Sequence, residues 1–343
     1  MAKAEPLAAI VLAAGKGTRM KSSLAKVLHH VFFKPMVMHV LEAIEPLQCD
    51  LKIAIVGHQR TAVEQTLEGT GAVCVYQAEQ NGTGHAVLCA ERALENFSGN
   101  IIILCGDSPL LLPQHLAEMI ESHRRSGSML TIITTKLDDP TNYGRIISDE
   151  AGLVKEVVEE KDASIEQKKI SEINAGIYCA RKEFLFEALS KITTDNAQGE
   201  MYLTDIVGIA VKSGLAVNKY IHPEPSHVLG VNSRVELAQA HHTIRHRRNL
   251  ELMNAGTTLE NPQTTTIGPQ VQLGENCTIG QNVTISGTSQ LADNCIIHAG
   301  AFLNNVELGD SVTIGPNAVV EECHLKGGST VAPLSHMKRS DST

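Results

Sequence analysis

A run of small residues followed by cations, Leu12 to Met20 (LAAGKGTRM), has the residue types of a phosphate-binding turn. Small side chains let the backbone approach a ligand, and successive N–H groups in such a turn can surround phosphate oxygens. Lys16 and Arg19 add positive charge. The spacing is neither the GxxxxGK[ST] pattern of a P-loop nor the GxGxxG dinucleotide pattern, so an ordinary turn is the alternative. The downstream Lys26 favours phosphate binding.

Carboxylate and amide side chains that could bind a cation occur later in the chain. Asp107 follows an aliphatic run and precedes Pro109, which places it at a predicted strand end, although Gly-Asp is also typical of a plain turn. Asn232 precedes a predicted helix, which it could alternatively cap. Glu159 lies in a charged stretch of a kind that is usually solvated.

Alternating aliphatic and amphipathic segments in the first ~230 residues predict the elements that would position these side chains: strands and helices around a mostly parallel sheet. The strand candidates are Leu7–Ala13, Lys52–Val56, Val73–Gln77, Ile101–Cys105 and Met129–Thr135. The helix candidates are Lys34–Ile44, Thr61–Glu68, Ala86–Asn96 and Gln114–Ser126. A linking helix is predicted over Arg234–Met253, because this segment lacks Gly and Pro and precedes a Gly-containing stop.

From Ile267 onward, aliphatic residues recur at a six-residue period. The period positions are Ile267, Leu273, Ile279, Ile285, Leu291, Ile297 and Leu303, then, after one five-residue step, Leu308, Ile314 and Val320. Small or branched residues follow four positions after most of them, at Val271, Cys277, Val283, Cys295, Ala301, Val312 and Ala318. Neither a helix nor an isolated strand buries such a period, whereas the stacked coils of a parallel β-helix do. Such coils usually serve stacking and assembly.

Length and composition limit the number of domains and the classes of function that the chain can have. At 343 residues the chain is long enough for about two domains. The net charge of −9 and the 3% of aromatic residues, with no Trp, argue against a large nucleic-acid or membrane surface and against base-stacking platforms. The eight cysteines show no CxxC spacing, and the early apolar run Leu7–Ala14 is too short to span a membrane. A cytoplasmic protein with free thiols is expected.

Several ordered segments together resemble a known family. They are LAAGKGTRMKSSLAKVLH from Leu12, QAEQNGTGHA from Gln77, GDSPL from Gly106, YGRI from Tyr143, VEEKDA from Val158, EINAGI from Glu172, NAQGEMYLTD from Asn196 and VNSR from Val231. In this order they are similar to the sugar-1-phosphate nucleotidyltransferases and, more narrowly, to the bacterial N-acetylglucosamine-1-phosphate uridyltransferases. The resemblance covers essentially the whole chain.

The resemblance implies a Mg²⁺-dependent reaction of UTP with N-acetylglucosamine 1-phosphate that gives UDP-N-acetylglucosamine and pyrophosphate. It also implies an α/β nucleotidyltransferase domain with a Rossmann-like, mostly parallel sheet (residues 1–232), a linker helix (233–254), a truncated left-handed β-helix of hexapeptide repeats (255–335) and a polar tail (336–343). The β-helix would assemble the chain into a homotrimer, and neither nucleic acid nor a membrane is an expected partner.

The resemblance also implies a role for each residue that matches a family motif. Leu12, Ala13, Ala14 and Gly15 would surround the nucleotide, Arg19 and Lys26 would bind its phosphates, and Gln77, Gly82 and Thr83 would face the uracil. Asp107 and Asn232 would bind Mg²⁺, and Gly144, Glu159 and Asn174 would surround the amino sugar. Cys105 and Gly106 belong to the same expected substrate site. Arg19, Lys26 and Asp107 are the expected catalytic residues.

The chain departs from the family pattern in three ways. Ala25 stands where the family usually has Pro, which would loosen the loop that carries Lys26, and Cys105 often has an aromatic counterpart. Family members commonly run further, through coils that bear an acetyltransferase site, so we expect that activity to be absent. Two alternatives stay open: a nucleotidyltransferase for another sugar phosphate and nucleotide pair, and a hexapeptide scaffold that binds a nucleotide sugar without turnover.

Overall fold

The computed structural model describes residues 5–338 of the chain. Its contacts divide these residues into two compact units, one with residues 5–30 and 34–237 and the other with residues 31–33 and 238–338. The division falls inside a long helix. Among the described residues, no helix combines the length and the apolar character that a membrane crossing requires.

The first unit is built from short strands and helices in alternation. Its strands are β1 (Leu7–Ala13), β2 (His30–Val31, whose second residue belongs to the second unit), β3 (Lys34–Pro35), β4 (Leu51–Val56), β5 (Val73–Tyr76), β6 (Asn100–Cys105), β7 (Leu130–Lys136), β8 (Arg145–Ser148), β9 (Val154–Val158), β10 (Glu172–Arg181) and β11 (Val217–Ile221). The helices are α1 (Met36–Ile44), α2 (Arg60–Leu67), α3 (Thr83–Leu88), α4 (Pro113–Ser126), α5 (Lys182–Leu189), α6 (Asp205–Lys212) and α7 (Arg234–Asn254), the last of which continues into the second unit.

The main sheet confirms the prediction of a mostly parallel α/β domain. Its strand order is β11-β7-β10-β6-β1-β4-β5, and the pairs β1–β4, β1–β6, β4–β5 and β7–β11 are parallel. The predicted strands are β1, β4, β5, β6 and β7. The sequence did not predict β10, which lies antiparallel between β6 and β7, with β8 and β9 attached beside it.

Apolar side chains of β1 cover both faces of the sheet. Ala8 and Ile10 belong to one buried core, whereas Ala9 and Val11 belong to the core on the opposite face. A strand buried on both faces reads as a continuous apolar run, which explains why β1 was easy to locate in the sequence. The loop after β1 therefore starts from the centre of a rigid sheet.

The predicted helix Ala86–Asn96 is wrong in extent. Helix α3 starts earlier and covers only its first part, and a separate 3₁₀ turn follows at Glu91–Leu94. Gly82 precedes α3 with a φ of 103°, and a Cβ there would lie 2.5 Å from the carbonyl oxygen of Met201. Ala86 and Val87 of the first piece and Leu94 of the second are buried in the same core. Periodicity alone therefore did not reveal the break.

The second unit confirms the predicted β-helix. Its strands (β12–β25) are Thr258–Leu259, Thr266–Ile267, Gln272–Leu273, Thr278–Ile279, Thr284–Ser286, Gln290–Leu291, Ile296–Ile297, Phe302–Asn304, Glu307–Leu308, Thr313–Ile314, Val319–Glu321, His324–Leu325, Thr330–Val331 and His336–Lys338. They form three parallel sheets in which every third strand pairs. Ile267 pairs with Ile285, Ile285 with Leu303 and Leu303 with Val320, so the period positions stack from coil to coil.

Asparagines at the turns between these strands explain how each coil bends. Asn276, Asn282, Asn294 and Asn317 adopt positive φ values between 54° and 60°. Asparagine tolerates this left-handed conformation better than most residues, because its short polar side chain can hydrogen-bond locally. Each of these residues directly precedes one of the small or branched residues noted in the sequence, and those residues are buried in the core of the coils.

Candidate active site

The loops that follow β1 and β6 leave the sheet side by side. Leu12 pairs with Cys105 at the carboxyl ends of these parallel strands. The amide of Gly106 donates a hydrogen bond to the Leu12 carbonyl oxygen at 2.9 Å. A Cβ on Gly106 would lie only 3.0 Å from that oxygen, so a larger residue would push the two strand ends apart. Ligands of open α/β sheets bind outside such carboxyl ends.

A cavity of about 510 Å³ opens at this edge. The predicted site residues that line it are Leu12, Ala14, Gly15, Arg19, Lys26, Gln77, Gly82, Thr83, Cys105, Asp107 and Asn232. Gly17 and Thr18 of the predicted phosphate-binding turn also line it. So do four residues that were not among the predicted site residues, namely Val27, Gln80, Ala86 and Glu200. Ala13 does not line it, because its side chain is buried in the core on the opposite face.

Lys26 is at the centre of the polar groups in this cavity. Its ammonium forms an ion pair with Asp107 and donates a hydrogen bond to Asn232 Oδ1 at 2.6 Å. Arg19 donates to the same oxygen at 2.7 Å. The structure thus brings together, within direct contact, four residues that are separated by up to 213 positions in the chain.

Asn232 is fixed by the start of α7 and does not itself cap that helix. Ser233 and Glu236 form a capping box: the Glu236 carboxylate accepts the amide of Ser233 at 2.9 Å, and the Ser233 hydroxyl accepts the amide of Glu236 at 3.2 Å. The same carboxylate accepts the amide of Asn232. The Asn232 carboxamide donates to the Gly230 carbonyl oxygen at 2.9 Å, which directs its oxygen toward the two cations.

The loop that carries Lys26 is anchored by Gln59, which the sequence did not single out. The amide of Ala25 donates to Gln59 Oε1 at 2.8 Å, and the Gln59 carboxamide donates to the Ser23 carbonyl oxygen. Ala25 has a φ of −54°, within the range that a proline ring would impose. The replacement of proline by Ala25 therefore leaves the loop in a proline-like conformation, with an N–H that the structure uses.

Gln77 is buried at the end of β5, where its side chain meets the loop before α3. Its carboxamide nitrogen lies 3.1 Å from the Gly82 carbonyl oxygen and 3.1 Å from His85 Nδ1. Thr83 accepts the amide of Leu203 at 3.0 Å. Nearby, Gln80 donates to the Ala14 carbonyl oxygen at 2.7 Å and so links this loop to the turn after β1.

Gly144, Glu159 and Asn174 form a second group that does not line the cavity. The amide of Asn174 donates to the Gly144 carbonyl oxygen at 2.9 Å, and a Cβ on Gly144 would lie 3.5 Å from Glu159 Oε2. The hydroxyl of Thr204 donates to Glu159 Oε1 at 3.1 Å. Cys105 connects this group to the cavity, because its sulfur lies 3.7 Å from the carbonyl oxygen of Gly176, two residues beyond Asn174.

Burial changes the acidity of two groups at the site. It raises the pKa of the Glu159 carboxyl above its usual value, and the nearby Asp205 and Asp162 charges act in the same direction, against the Thr204 hydrogen bond. Burial, with the Asp107 charge, raises the pKa of the Cys105 thiol to about 12. A thiol with so high a pKa carries little thiolate at pH 7 and is therefore a poor nucleophile.

The donor set at Asp107 and Asn232 fits a hard divalent cation. Both side chains direct an oxygen at one positive group, the Lys26 ammonium. A carboxylate and an amide oxygen are ligands that Mg²⁺ accepts, and Mg²⁺ usually completes its shell with water and substrate phosphates. The donor atoms therefore fit a divalent metal.

Comparison with known proteins matches both parts of the chain. Residues 8–224 match the nucleotidyl transferase family model, and residues 270–305 match a model described as the hexapeptide repeat of succinyl-transferase. A solved structure of UDP-glucose pyrophosphorylase complexed with UDP-glucose superposes with a TM-score of 0.58 at 18% identity, covering 71% of this chain and 100% of that one. At that identity the likeness shows the fold.

Curated relatives are similar over nearly the whole chain. The Bifunctional protein GlmU of Desulfotalea psychrophila is 49% identical over 94% of this chain and 95% of its own length. Those of Pelobacter propionicus and Geotalea daltonii are 42% and 45% identical over 97% of this chain and 73% of theirs. Because a relative named bifunctional is matched almost end to end, the absence of acetyltransferase activity stays a prediction. The chain belongs to the nucleotidyl transferase family and, within it, to the GlmU proteins.

Proposed function

We propose that this chain transfers a uridylyl group from UTP to N-acetylglucosamine 1-phosphate, giving UDP-N-acetylglucosamine and pyrophosphate. The observation that carries the proposal is the convergence of Arg19, Lys26, Asp107 and Asn232 in one cavity at the carboxyl ends of β1 and β6. Two cations with two oxygen ligands suit a reaction between a nucleoside triphosphate and a phosphate monoester.

The reaction requires positioning and charge neutralisation more than acid–base chemistry. A phosphate oxygen of the sugar phosphate attacks the α-phosphorus of UTP, and the bond from that phosphorus to the bridging oxygen breaks as pyrophosphate leaves. The attacking oxygen is already anionic, so no general base is needed. Arg19 and Lys26 balance the negative charge of the two substrates, and the neutral Cys105 thiol takes no covalent part.

Gln77 supports recognition of a pyrimidine. Its carboxamide nitrogen is directed at the Gly82 carbonyl oxygen and at His85, so its carboxamide oxygen is the atom suited to accept the ring N–H of uracil. Gly82 and Thr83 complete this wall of the cavity, and Leu12, Ala14 and Gly15 supply a backbone without bulky side chains that the nucleotide can approach closely.

The group formed by Gly144, Glu159 and Asn174 is our proposed site for the amino sugar. Glu159 accepts hydrogen bonds from sugar hydroxyls, as it does from Thr204. Asn174 is held on β10 by its donation to the Tyr178 hydroxyl at 2.6 Å. Cys105 lies between this group and the nucleotide cavity, where the reacting phosphates would meet.

The family requires a divalent metal, and we propose Mg²⁺ held by Asp107 and Asn232. Bound there, Mg²⁺ would neutralise phosphate charge on the triphosphate. We further propose a cytoplasmic trimer that assembles through the β-helix. The eight free thiols fit a reducing compartment, and the hexapeptide coils are of the kind that usually form assembly surfaces.

The test of the proposed function is a pyrophosphate-release assay with UTP, N-acetylglucosamine 1-phosphate and Mg²⁺. The Asp107→Asn variant should lose at least ~10³-fold in kcat, because it removes the negative charge of the carboxylate proposed to hold the divalent metal. Asp138→Asn, an exposed carboxylate on the same unit, is the matched control and should keep wild-type turnover.

A panel of substrates decides between the two enzyme alternatives. Glucose 1-phosphate, dTTP and ATP should each give lower kcat/KM than the proposed pair. Tight binding of UDP-N-acetylglucosamine with no pyrophosphate release from any pair would instead support the scaffold reading and contradict the proposal.

A further inference from the structure

Three histidines outside the proposed active site converge at the edge of the same unit. His115 lies in the first turn of α4, His222 directly follows β11, and His227 ends a short 3₁₀ turn at Pro225–His227. One ring nitrogen from each lies within 4.8 Å of the other two. The ring centroids of His115 and His222 are 4.2 Å apart, and those of His115 and His227 are 5.3 Å apart.

His222 has the environment of a metal ligand. The residue is only 1% exposed, and its Nε2 is buried with no hydrogen-bond partner among the described residues. Its other nitrogen, Nδ1, lies 2.8 Å from the Glu224 carbonyl oxygen and 3.0 Å from the Glu224 amide. Donation from Nδ1–H to the carbonyl is the shorter contact, and it leaves the Nε2 lone pair free to bind a metal.

We propose that His115, His222 and His227 bind one late transition-metal ion, with Zn²⁺ as the expected occupant. Three imidazoles with one remaining position for water is a common zinc donor set. Tetrahedral Zn–N bonds place ligand nitrogens about 3.3 Å apart, so closing this cluster needs ring movements of at most about 1.5 Å. His115 and His227 are half-buried, which gives the ion a route from solvent.

The position of the cluster in the chain gives the ion a structural consequence. His115 lies eight residues after Asp107, and His227 lies five residues before Asn232. The two segments already touch, because the amide of Val231 donates to the Asp107 carbonyl oxygen at 2.8 Å. A metal bound by His115 and His227 adds a second connection between these segments, besides the hydrogen bond from Val231. This site lies outside the proposed substrate site, so the ion is distinct from the one proposed at Asp107.

The first measurement is the metal content of tag-free wild-type protein purified without chelate resin. Elemental analysis should find about one zinc per chain, the single ion that three imidazoles can hold. Chelator-treated protein should then give the strong visible absorption of low-coordinate Co²⁺ when titrated with CoCl₂ in excess Mg²⁺. Protein with neither zinc nor this absorption would overturn the proposal.

Variants locate the ion. His115→Gln and His227→Gln should each weaken Co²⁺ binding at least tenfold, since each removes one of three ligands. His242→Gln is the control, because His242 and His246 stack on α7 and could bind a metal by themselves. Absorption that survives both site variants, or that is lost in the control, would contradict the assignment. Asp107→Asn should keep the absorption, so this test stands whether or not the proposed function holds.

Hydrogen exchange tests the structural consequence directly. Amides of residues 223–232, including Val231, should exchange more slowly in the zinc-loaded protein than in the metal-free protein. Equal exchange rates in the two forms would contradict the inference that the ion fastens the two segments.

Discussion

Lys26 contacts the same two oxygen-bearing side chains, Asp107 and Asn232, that we assign to the metal. In the proposed substrate complex, Lys26 would turn to the phosphates, and Asp107 and Asn232 would then hold the metal. Both partners of the ion pair are largely buried, with exposed side-chain fractions of 12% and 19%. An uncompensated carboxylate in such a place is costly, so the ion pair with Lys26 holds the Asp107 side chain in position in the ligand-free protein.

A substitution at Gly230 tests how strongly catalysis depends on the position of the Asp107 carboxylate. A Cβ at Gly230 would lie 2.8 Å from Asp107 Oδ1, so Gly230→Ala must displace the carboxylate. We expect kcat to fall about 10²-fold, the effect of a misplacement near 1 Å, with a small change in unfolding temperature. Steady-state kinetics with thermal unfolding checks this.

Gly208 on α6 supplies the control for that variant, because a Cβ there would meet nothing within 4 Å. Gly208→Ala should leave kcat unchanged and raise the free energy of unfolding by about 0.5–1 kcal/mol, the usual gain inside a helix. Wild-type turnover in Gly230→Ala would contradict the role of Asp107.

We expect Glu159 to lower the stability of the folded protein at pH 7 while it contributes to sugar binding. Burial raises its pKa, so the folded protein holds the Glu159 proton to a higher pH than the unfolded chain does. The contribution of Glu159 to stability therefore falls as pH rises from the ordinary glutamate pKa through the raised one, and it stays low at pH 7. Glu159→Gln should increase the free energy of unfolding at pH 7, and the gain should shrink at pH 4.

The same variant should bind the sugar phosphate less well. Loss of a charged acceptor predicts a KM for N-acetylglucosamine 1-phosphate at least about tenfold higher. Denaturant unfolding at both pH values, with kinetics, measures the two effects, and the exposed Glu156→Gln is the matched control. A variant that is less stable at pH 7 would contradict the assigned cause of the raised pKa.

At the scale of elements, Gln59, the residue before α2, anchors the loop that leads from the turn after β1 to Lys26. Gln59 bonds to both Ala25 and Ser23, so its side chain sets where the loop presents Lys26. Polar anchoring of this kind replaces the stiffness that proline would give the loop. Its removal should therefore affect catalysis as well as folding.

Gln59→Ala should lower kcat about tenfold and cost about 1–2 kcal/mol of stability, the ordinary worth of two hydrogen bonds. Gln65→Ala, an exposed glutamine on α2 itself, should change neither quantity. Kinetics with chemical denaturation distinguishes the two variants. If Gln59→Ala loses stability alone, Gln59 anchors the fold and does not position Lys26.

Sequence patterns predicted the elements whose burial is local and continuous. Each of the five predicted strands, including β1 and β6, is found within one residue of its expected ends. Strand β10 was missed because Gly176 interrupts its apolar run at a bulge. The pattern of buried residues also carries no information on strand direction, so it could not show that β10 runs antiparallel to its neighbours. Gln59, Gln80 and the histidine cluster were missed because their partners are distant in sequence and meet only in the folded chain.

At the scale of the whole molecule, binding of two polyanions has to overcome an overall charge of −9. The attraction is local, because Arg19 and Lys26 act inside a cavity where the solvent screens charges less than at the surface. The second unit adds repeated coils whose surface carries exposed apolar side chains, including Ile296 and Phe302. We place the proposed trimer contact on this unit.

The proposed assembly predicts a particle of three times the 36.9 kDa chain mass in sedimentation equilibrium. Phe302→Glu should shift the population toward smaller species, because it places a charge on an apolar contact surface. The matched control is Ile165→Glu, which changes an apolar side chain 80% exposed on the first unit. A wild-type chain that sediments as a monomer at micromolar concentration would contradict the trimer.

The most direct test of the central claim is a crystal structure of the protein with UDP-N-acetylglucosamine and Mg²⁺. We predict uracil against Gln77, phosphates in contact with Lys26, and a metal bound by Asp107 and Asn232 after Lys26 has left them. A nucleotide bound elsewhere, or a Lys26 that stays paired with Asp107 beside bound phosphates, would contradict the account.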